Sequence, residues 1–145
     1  MRHVIMVSHG DFAKGLHSAV RMMTGKREGV FSCNLSEDMS ADQFVVEFST
    51  YLEEIQEGDE IILLADIISG SPITNAVEIL DNKGWLENTI ILAGMNMPLA
   101  LSAVLLKDNS ISLSELKEII LIEAHDGLQE FTKKDIEVVD YDIDL

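Results

Sequence analysis

The chain has 145 residues, and its composition, 47% hydrophobic and 25% charged, is that of a folding globular sequence rather than a disordered or fibrous one. Ten Lys+Arg against 26 Asp+Glu leave a formal net charge of −16, and Cys33 is the single cysteine. Such a charge repels phosphate backbones and anionic lipid, and a lone cysteine supplies neither an internal disulfide nor a thiolate cluster; nucleic-acid binding, membrane-surface roles and cysteine metal sites are therefore disfavoured.

Near the N-terminus only residues 4–7 form an apolar run, and the longest such stretch elsewhere spans residues 97–106. Both fall short of a signal peptide or of the roughly 20 residues that cross a membrane, so a cytoplasmic protein is expected. Residues 4–7 (Val-Ile-Met-Val) read instead as a strand buried on both faces. Asp11 then caps a helix carrying Phe12, Leu16, Ala19, Val20 and Met23 at helical spacing, stopped by Gly25. Val30–Leu35 is a second strand, interrupted by Ser32 and Asn34 and so suited to a sheet edge, and Ser40 caps a helix with Phe44, Phe48, Leu52 and Ile55 along one side. Glu60–Ala65 is the third strand, after the turn Gly58-Asp59 and ending at Asp66. Ser71 and Pro72 make an Ncap–N1 pair for a helix with Ile73, Ala76, Val77 and Leu80, ended by Gly84. A fourth strand, Thr89–Ala93, leads into a helix over residues 99–106. Ser112 or Ser114 caps a last long helix reaching about Phe131, and residues 136–139 (Ile-Glu-Val-Val) suggest a fifth strand.

Buried strands alternating with helices specify a doubly wound, three-layer α/β domain with a mainly parallel sheet, here read as a single domain over residues 1–145. Such sheets bind ligands beyond the carboxyl ends of their strands, where strand order reverses. Three loops occupy that edge: Ser8-His9-Gly10-Asp11, residues 66–72 and residues 94–98. They bring His9 and Asp66 to the ends of two strands expected to be neighbours. Neutral imidazole is a good nucleophile near pH 7 because its ordinary pKa is about 6.5, and a carboxylate accepting from Nδ1–H leaves Nε2 free to attack. Gly10 and Asp11 begin one helix, Ser71 and Pro72 another, and helix amino ends offer N–H groups and positive dipole to a phosphoryl group. His17 lies off the apolar stripe and reads as solvated, His3 opens a strand, and His125 has Asp126 beside it. Trp85 reads as a packing or interface residue. Neither G-x-x-x-x-G-K-[ST] nor G-x-G-x-x-G is present, and Gly70-Ser71-Pro72 is not a G-x-S-x-G elbow. The histidines show no metal-ligand spacing.

These residues resemble the enzyme IIA component of mannose-type bacterial sugar phosphotransferase systems. The likeness runs over nearly the whole chain. It rests on Ser8-His9-Gly10-x-x-Ala13-x-Gly15, Met23-x-Gly25, Asp66-x-x-x-Gly70-Ser71-Pro72-x-x-Asn75-Ala76 and Asn96-x-Pro98. The resemblance implies that His9 is phosphorylated through Nε2 with Asp66 as its carboxylate partner. It further implies the histidine phosphocarrier protein HPr as donor and an enzyme IIB component, feeding a membrane permease, as acceptor. Family members are homodimers whose parallel sheet carries a late antiparallel strand. Phosphoryl relay between histidines calls for no metal or other cofactor. Gly10, Asp11, Gly70 and Ser71 are expected to hold the phosphoryl group, and Met23, Asn96, Met97 and Pro98 to contribute to partner docking. Ser69 stands where relatives often have another glycine, and since the sequence stops at Leu145 the IIB component is expected on a separate chain.

Two rivals share the size and topology. A receiver-type signalling domain would be phosphorylated on an aspartate ending the third strand, where Asp66 lies, but needs acidic residues where Ser8-His9 stand. A flavodoxin-like electron carrier needs a Ser/Thr-rich phosphate loop, and His9-Gly10-Asp11-Phe12 is not one.

Overall fold

The computed structural model describes residues 1–141 and runs β1 (Arg2–His9), α1 (Phe12–Thr24), β2 (Val30–Leu35), α2 (Ala41–Leu52), β3 (Glu60–Ala65), α3 (Ser71–Asn82), a single 3-10 turn (Leu86–Asn88), β4 (Thr89–Ala93), α4 (Met97–Leu106), α5 (Leu113–Asp126) and α6 (Lys133–Tyr141). The four strands are all parallel in the order β2-β1-β3-β4, with Val4 opposite Val30 and Ile62, and Ile62 opposite Ile90.

Side chains alternate across a strand, so a continuous apolar run serves two cores at once. Val4 and Met6 pack with Leu16 and Val20 of α1, Leu99 and Ala103 of α4, and Leu116 and Ile120 of α5. Ile5 and Val7 face Phe44, Phe48 and Leu52 of α2 and Ile73, Ala76 and Leu80 of α3. The expected three-layer architecture is therefore present. Although β1 and β3 are neighbours, the chain leaves β1 toward β2 on one side and leaves β3 toward β4 on the other. Their carboxyl ends form the switch point of the sheet. No helix among the described residues is long and apolar enough to cross a membrane.

The expected antiparallel fifth strand is corrected by the structure: Ile136 lies in α6, a helix that also takes in residues 137–139. The cause is local. Thr132 opens the segment, its N–H and hydroxyl both donating to Asp135 Oδ2 at 2.8 and 2.9 Å, while Ile136 N–H donates back to the Thr132 carbonyl. Asp135 thus holds the Thr132 N–H as the third residue of a capping box does, one half of that helix-start device. Correspondingly, α5 stops at Asp126 rather than near Phe131. Gly127 follows it because a Cβ there would collide with the Pro98 ring of α4.

Candidate functional site

β1 ends at His9, and β3 ends one residue before Asp66, so the register pairing Val7 with Ala65 sets the histidine and the carboxylate side by side at the switch point. One oxygen, Asp66 Oδ2, accepts both the backbone N–H of His9 at 2.9 Å and its ring Nδ1–H at 2.8 Å. This double grip fixes the ring's orientation and places its proton on Nδ1, leaving the Nε2 lone pair for an incoming electrophile. His9 is 44% exposed whereas the Asp66 side chain is 15% exposed. Burial pushes the Asp66 carboxyl up, but the bonds from the His9 backbone and imidazole outweigh it and hold the acid below its ordinary range. Asp66 Oδ1 is buried without a hydrogen-bond partner among the described residues.

Gly70 closes the other side of the ring. Its φ is +98°, and a Cβ on it would stand 2.7 Å from His9 Cε1 and 2.8 Å from Nε2. Only glycine meets both demands, the left-handed backbone and the close approach. Ser69, by contrast, does not take a positive φ, so its position needs no glycine.

The two helix amino ends at this edge differ. In α1 the early N–H groups are occupied: Ala13 N–H donates to Ser8 Oγ at 2.6 Å and Lys14 N–H to Asn34 Oδ1 at 3.0 Å. Asp11 sits at the Ncap position but its side chain makes no capping bond. These caps come from the ends of β1 and β2, a long-range contribution that spacing along α1 does not reveal. In α3 the helix begins at Ser71, one residue earlier than its Ser-Pro pair suggested, with Gly70 at the Ncap position and no side-chain cap. The first-turn N–H groups of α3, and the exposed Ser71 beside them, face the His9 edge without competition from a capping side chain.

The expected docking residues divide. Met23 lies in the last turn of α1, roughly 16 Å along that helix from Phe12 at a rise of about 1.5 Å per residue, and so does not border this crevice. Asn96 is the Ncap of α4: its Oδ1 accepts from Leu99 N–H at 2.9 Å and its Nδ2 donates to the Ala124 carbonyl, so its polar atoms are committed to the fold. Met97 and Pro98 are half-buried at the start of α4. The exposed apolar groups at the site are others: Phe12 (46%), Ile67 (50%) and Ile68 (81%). Phe12 fits the helical stripe by spacing, but α1 buries Ala13, Leu16 and Val20, and its first residue overhangs the sheet edge. Next to Ile68, a hollow of about 400 Å³ runs along α3 past Ile73 and Val77 and is edged by Glu78 and Asp81.

Residues 3–121 match the family described as the PTS system fructose IIA component. The chain belongs to this IIA family. It is 22% identical over 134 residues to the mannose-specific EIIAB component of Escherichia coli K12, covering 92% of this chain and 41% of that protein. It is 24% identical over 109 residues to the fructose-specific EIIA component of Bacillus subtilis 168, covering 75% of this chain and 73% of that one. The chain thus spans about two fifths of the Escherichia coli relative. Among solved structures, it resembles the PTS IIA protein associated with the fucose utilization operon of Streptococcus pneumoniae, with a TM-score of 0.74, 28% identity and coverage of 89% of this chain and 92% of that one. The EIIA structure from Streptococcus agalactiae superposes with a TM-score of 0.76 at 24% identity, covering 90% and 98% of the two IIA chains.

Proposed function

We propose that this chain is a phosphocarrier of a sugar phosphotransferase system, taking a phosphoryl group onto His9 Nε2 from HPr and passing it to an enzyme IIB component that serves a membrane permease. The observation that carries this reading is the Asp66 grip on His9, which commits Nδ1 and frees Nε2 at the mouth of the uncapped α3 amino end. In the forward step the Nε2 lone pair attacks phosphorus as the donor's P–N bond breaks, and the donor imidazole leaves with that electron pair. The His9 ring gains positive character, which the Asp66 carboxylate stabilises through Nδ1–H, so no proton has to move. Ser71 and the first-turn N–H groups of α3 take the equatorial oxygens, with Gly70 keeping the approach open. Gly10 contributes shape rather than a donor, since its N–H is bonded to the Leu35 carbonyl at 2.8 Å, and Asp11 stands beside it at the start of α1. Phe12, Ile67 and Ile68, with the acid-edged hollow along α3, suit a partner with an apolar patch ringed by basic residues, in keeping with the −16 charge of the chain.

The test is incubation with enzyme I, HPr and phosphoenolpyruvate. One acid-labile, base-stable phosphate per chain is expected, and none on His9→Ala, while His17→Ala and His125→Ala label normally. Labelled His9→Ala protein would overturn the assignment, and a base-labile phosphate would move it to Asp66.

The same reading includes a cytoplasmic homodimer built on a single-domain protomer. Ile119 and Ile122 of α5 are 41% and 58% exposed, and β4 is a half-buried edge strand. Apolar side chains beside an open strand edge call for a cover. Light scattering at micromolar concentration should return twice the 16.1 kDa chain mass.

A further inference from the structure

At the opposite end of the sheet from His9, between the last turns of α1, the loop to β2 and Val104 of α4, lies a cavity of about 80 Å³ lined by His17, Arg21, Lys26, Arg27 and Val30. Three of the chain's ten Lys and Arg residues meet there, and none of the three makes a salt bridge among the described residues. Their charge is not consumed by capping α1 either. The Val20 and Arg21 carbonyls are taken by Thr24 Oγ1 and Gly25 N–H, and only Arg27 Nε donates to a helix-end carbonyl, that of Thr24. Since a water occupies roughly 30 Å³ of liquid, the cavity has the volume of two or three waters, the size class of a tetrahedral oxyanion.

Lys26, Arg27 and Val30 also line a second, larger hollow of about 380 Å³, which continues past Gly29 and Phe31 to His3. His3 is 3% exposed, and its Nδ1 is buried with no hydrogen-bond partner among the described residues. The ring's Nε2–H donates to Asp59 Oδ2 at 2.9 Å, so Nδ1 is the bare acceptor and lacks a donor. The place a Cβ on Gly29 would fill is 3.2 Å from that Nδ1 and 2.9 Å from the Cε of Met1, so the unbranched, half-exposed Met1 side chain ends nearby. Glu28 and Glu54 border the same hollow and would accept from hydroxyl groups.

We infer that these adjacent hollows, which share Lys26, Arg27 and Val30 in their walls, bind a hydroxylated phosphomonoester of sugar-phosphate type, its phosphate among Arg21, Lys26 and Arg27 and its hydroxyl-bearing body beside Phe31, with one hydroxyl donating to His3 Nδ1. The cations supply charge-assisted bonds to the anion, and the carboxylates and the bare imidazole nitrogen supply acceptors that inorganic phosphate alone does not need. Burial, then the adjacent Arg21, holds His17 below its ordinary pKa, so its ring is a ready reporter: an anion seated beside it screens Arg21 and draws the pKa up.

Isothermal titration of the whole chain with glucose 6-phosphate, glucose and inorganic phosphate at low salt tests the inference, with the His17 ring resonances followed by NMR. Glucose 6-phosphate should bind with a dissociation constant on the order of 1 mM or tighter, inorganic phosphate at least about tenfold more weakly, and glucose not detectably. Arg21→Gln and Arg27→Gln, both on exposed side chains, should each weaken binding severalfold, whereas His9→Ala should bind as the parent does. That last arm separates this site from the phosphocarrier reading, which stands or falls on labelling of His9. Absence of heat and of His17 shifts at 10 mM glucose 6-phosphate, binding untouched by Arg21→Gln and Arg27→Gln, or inorganic phosphate binding as tightly as the ester would each overturn the inference.

Discussion

β1 carries a histidine–aspartate pair at each of its ends, and the two differ in every respect except chemistry. At the carboxyl end His9 gives Nδ1–H to Asp66 at 2.8 Å and stands 44% exposed with Nε2 free. At the amino end, six residues away and about 20 Å along an extended strand, His3 gives Nε2–H to Asp59 at 2.9 Å and is 4% exposed by side chain. Asp59 further accepts the N-terminal ammonium and the Gln56 N–H. Around that end Arg2 bonds Glu60 and the carbonyls of Lys107, Asn109 and Ile111, tying the start of β1 to the segment after α4. A histidine–carboxylate pair is therefore not in itself a reaction centre. What distinguishes the His9 pair is which nitrogen is committed and what surrounds the other one: a glycine and an uncapped helix amino end, against a buried position beside a ring of ionic ties.

The largest effect should come from Gly70→Ala, which closes the free nitrogen. The new Cβ would fall 2.8 Å from Nε2 in a backbone of φ +98°, so either the ring leaves Asp66 or the loop leaves α3. A displacement near 1 Å at a reacting group costs on the order of a hundredfold in rate. HPr-dependent labelling should fall by at least about that factor, with a stability loss of about 1–2 kcal/mol from the left-handed conformation. Labelling at the parent rate would mean that the ring has room the structure does not give it. The matching change at the other end, Gly29→Ala, approaches His3 instead and should leave the labelling rate unchanged.

Asp66→Asn comes next. The amide oxygen still accepts from both His9 N–H groups, so the geometry survives, but the bonds lose their ionic partner and the ring loses its counter-charge. Charge-assisted hydrogen bonds are roughly twice as strong as neutral ones, a difference near 1.4 kcal/mol, or about tenfold in rate. Transfer from HPr and transfer onward to the acceptor should both slow by about that factor in stopped-flow or quench-flow assays. An unchanged rate in both directions would reduce Asp66 to a structural ligand of the loop.

The difference between the two pairs is only half legible in the sequence. The apolar runs of β1, β3 and β4 and the stripes on α2 and α3 specify the parallel sheet, and from the sheet follows the juxtaposition of His9 and Asp66, because period and connectivity are local properties. The His3–Asp59 pair goes unread because Asp59 sits in a turn, and its partner is fixed only by the β1–β3 register. The occupied amino end of α1 depends likewise on Ser8 and Asn34, which belong to two different strands. His17, read as solvated, is half-buried with Nδ1 2.7 Å from Ser32 Oγ, again a contact with a neighbouring strand. The α6 error has a different origin: residues 136–139 look β-branched and alternating, but the Thr132-x-x-Asp135 cap just before them decides the local conformation, and that signal was available in the sequence. Its motif makes Met23 an expected docking residue, whereas a helix of 13 residues carries its last turn away from its first.

The smallest effect, and the one that most directly tests the contrast, is expected from Asp59→Asn. The His3 hydrogen bond, with help from the Gln56 N–H and the N-terminal ammonium, holds the Asp59 carboxyl at about 2, below an ordinary value of 3.8. A folded-state pKa lowered in this way contributes stability that is complete above the unfolded value and is lost as pH falls through the folded one, here between about pH 4 and pH 2. The pair is partly open to water through Asp59, 18% exposed, so the loss on substitution is about 1 kcal/mol near neutral pH rather than the several expected of a sealed ion pair. Urea midpoints of parent and Asp59→Asn should therefore differ by that amount at pH 7 and converge as the pH is lowered from 4 toward 2, while HPr-dependent labelling of His9 stays at the parent rate. A gap that persists undiminished at the lowest pH would remove Asp59 ionisation as its source. A labelling defect as large as that of Asp66→Asn would show that the two ends of β1 are coupled, and that the buried pair does more than secure the start of the central strand.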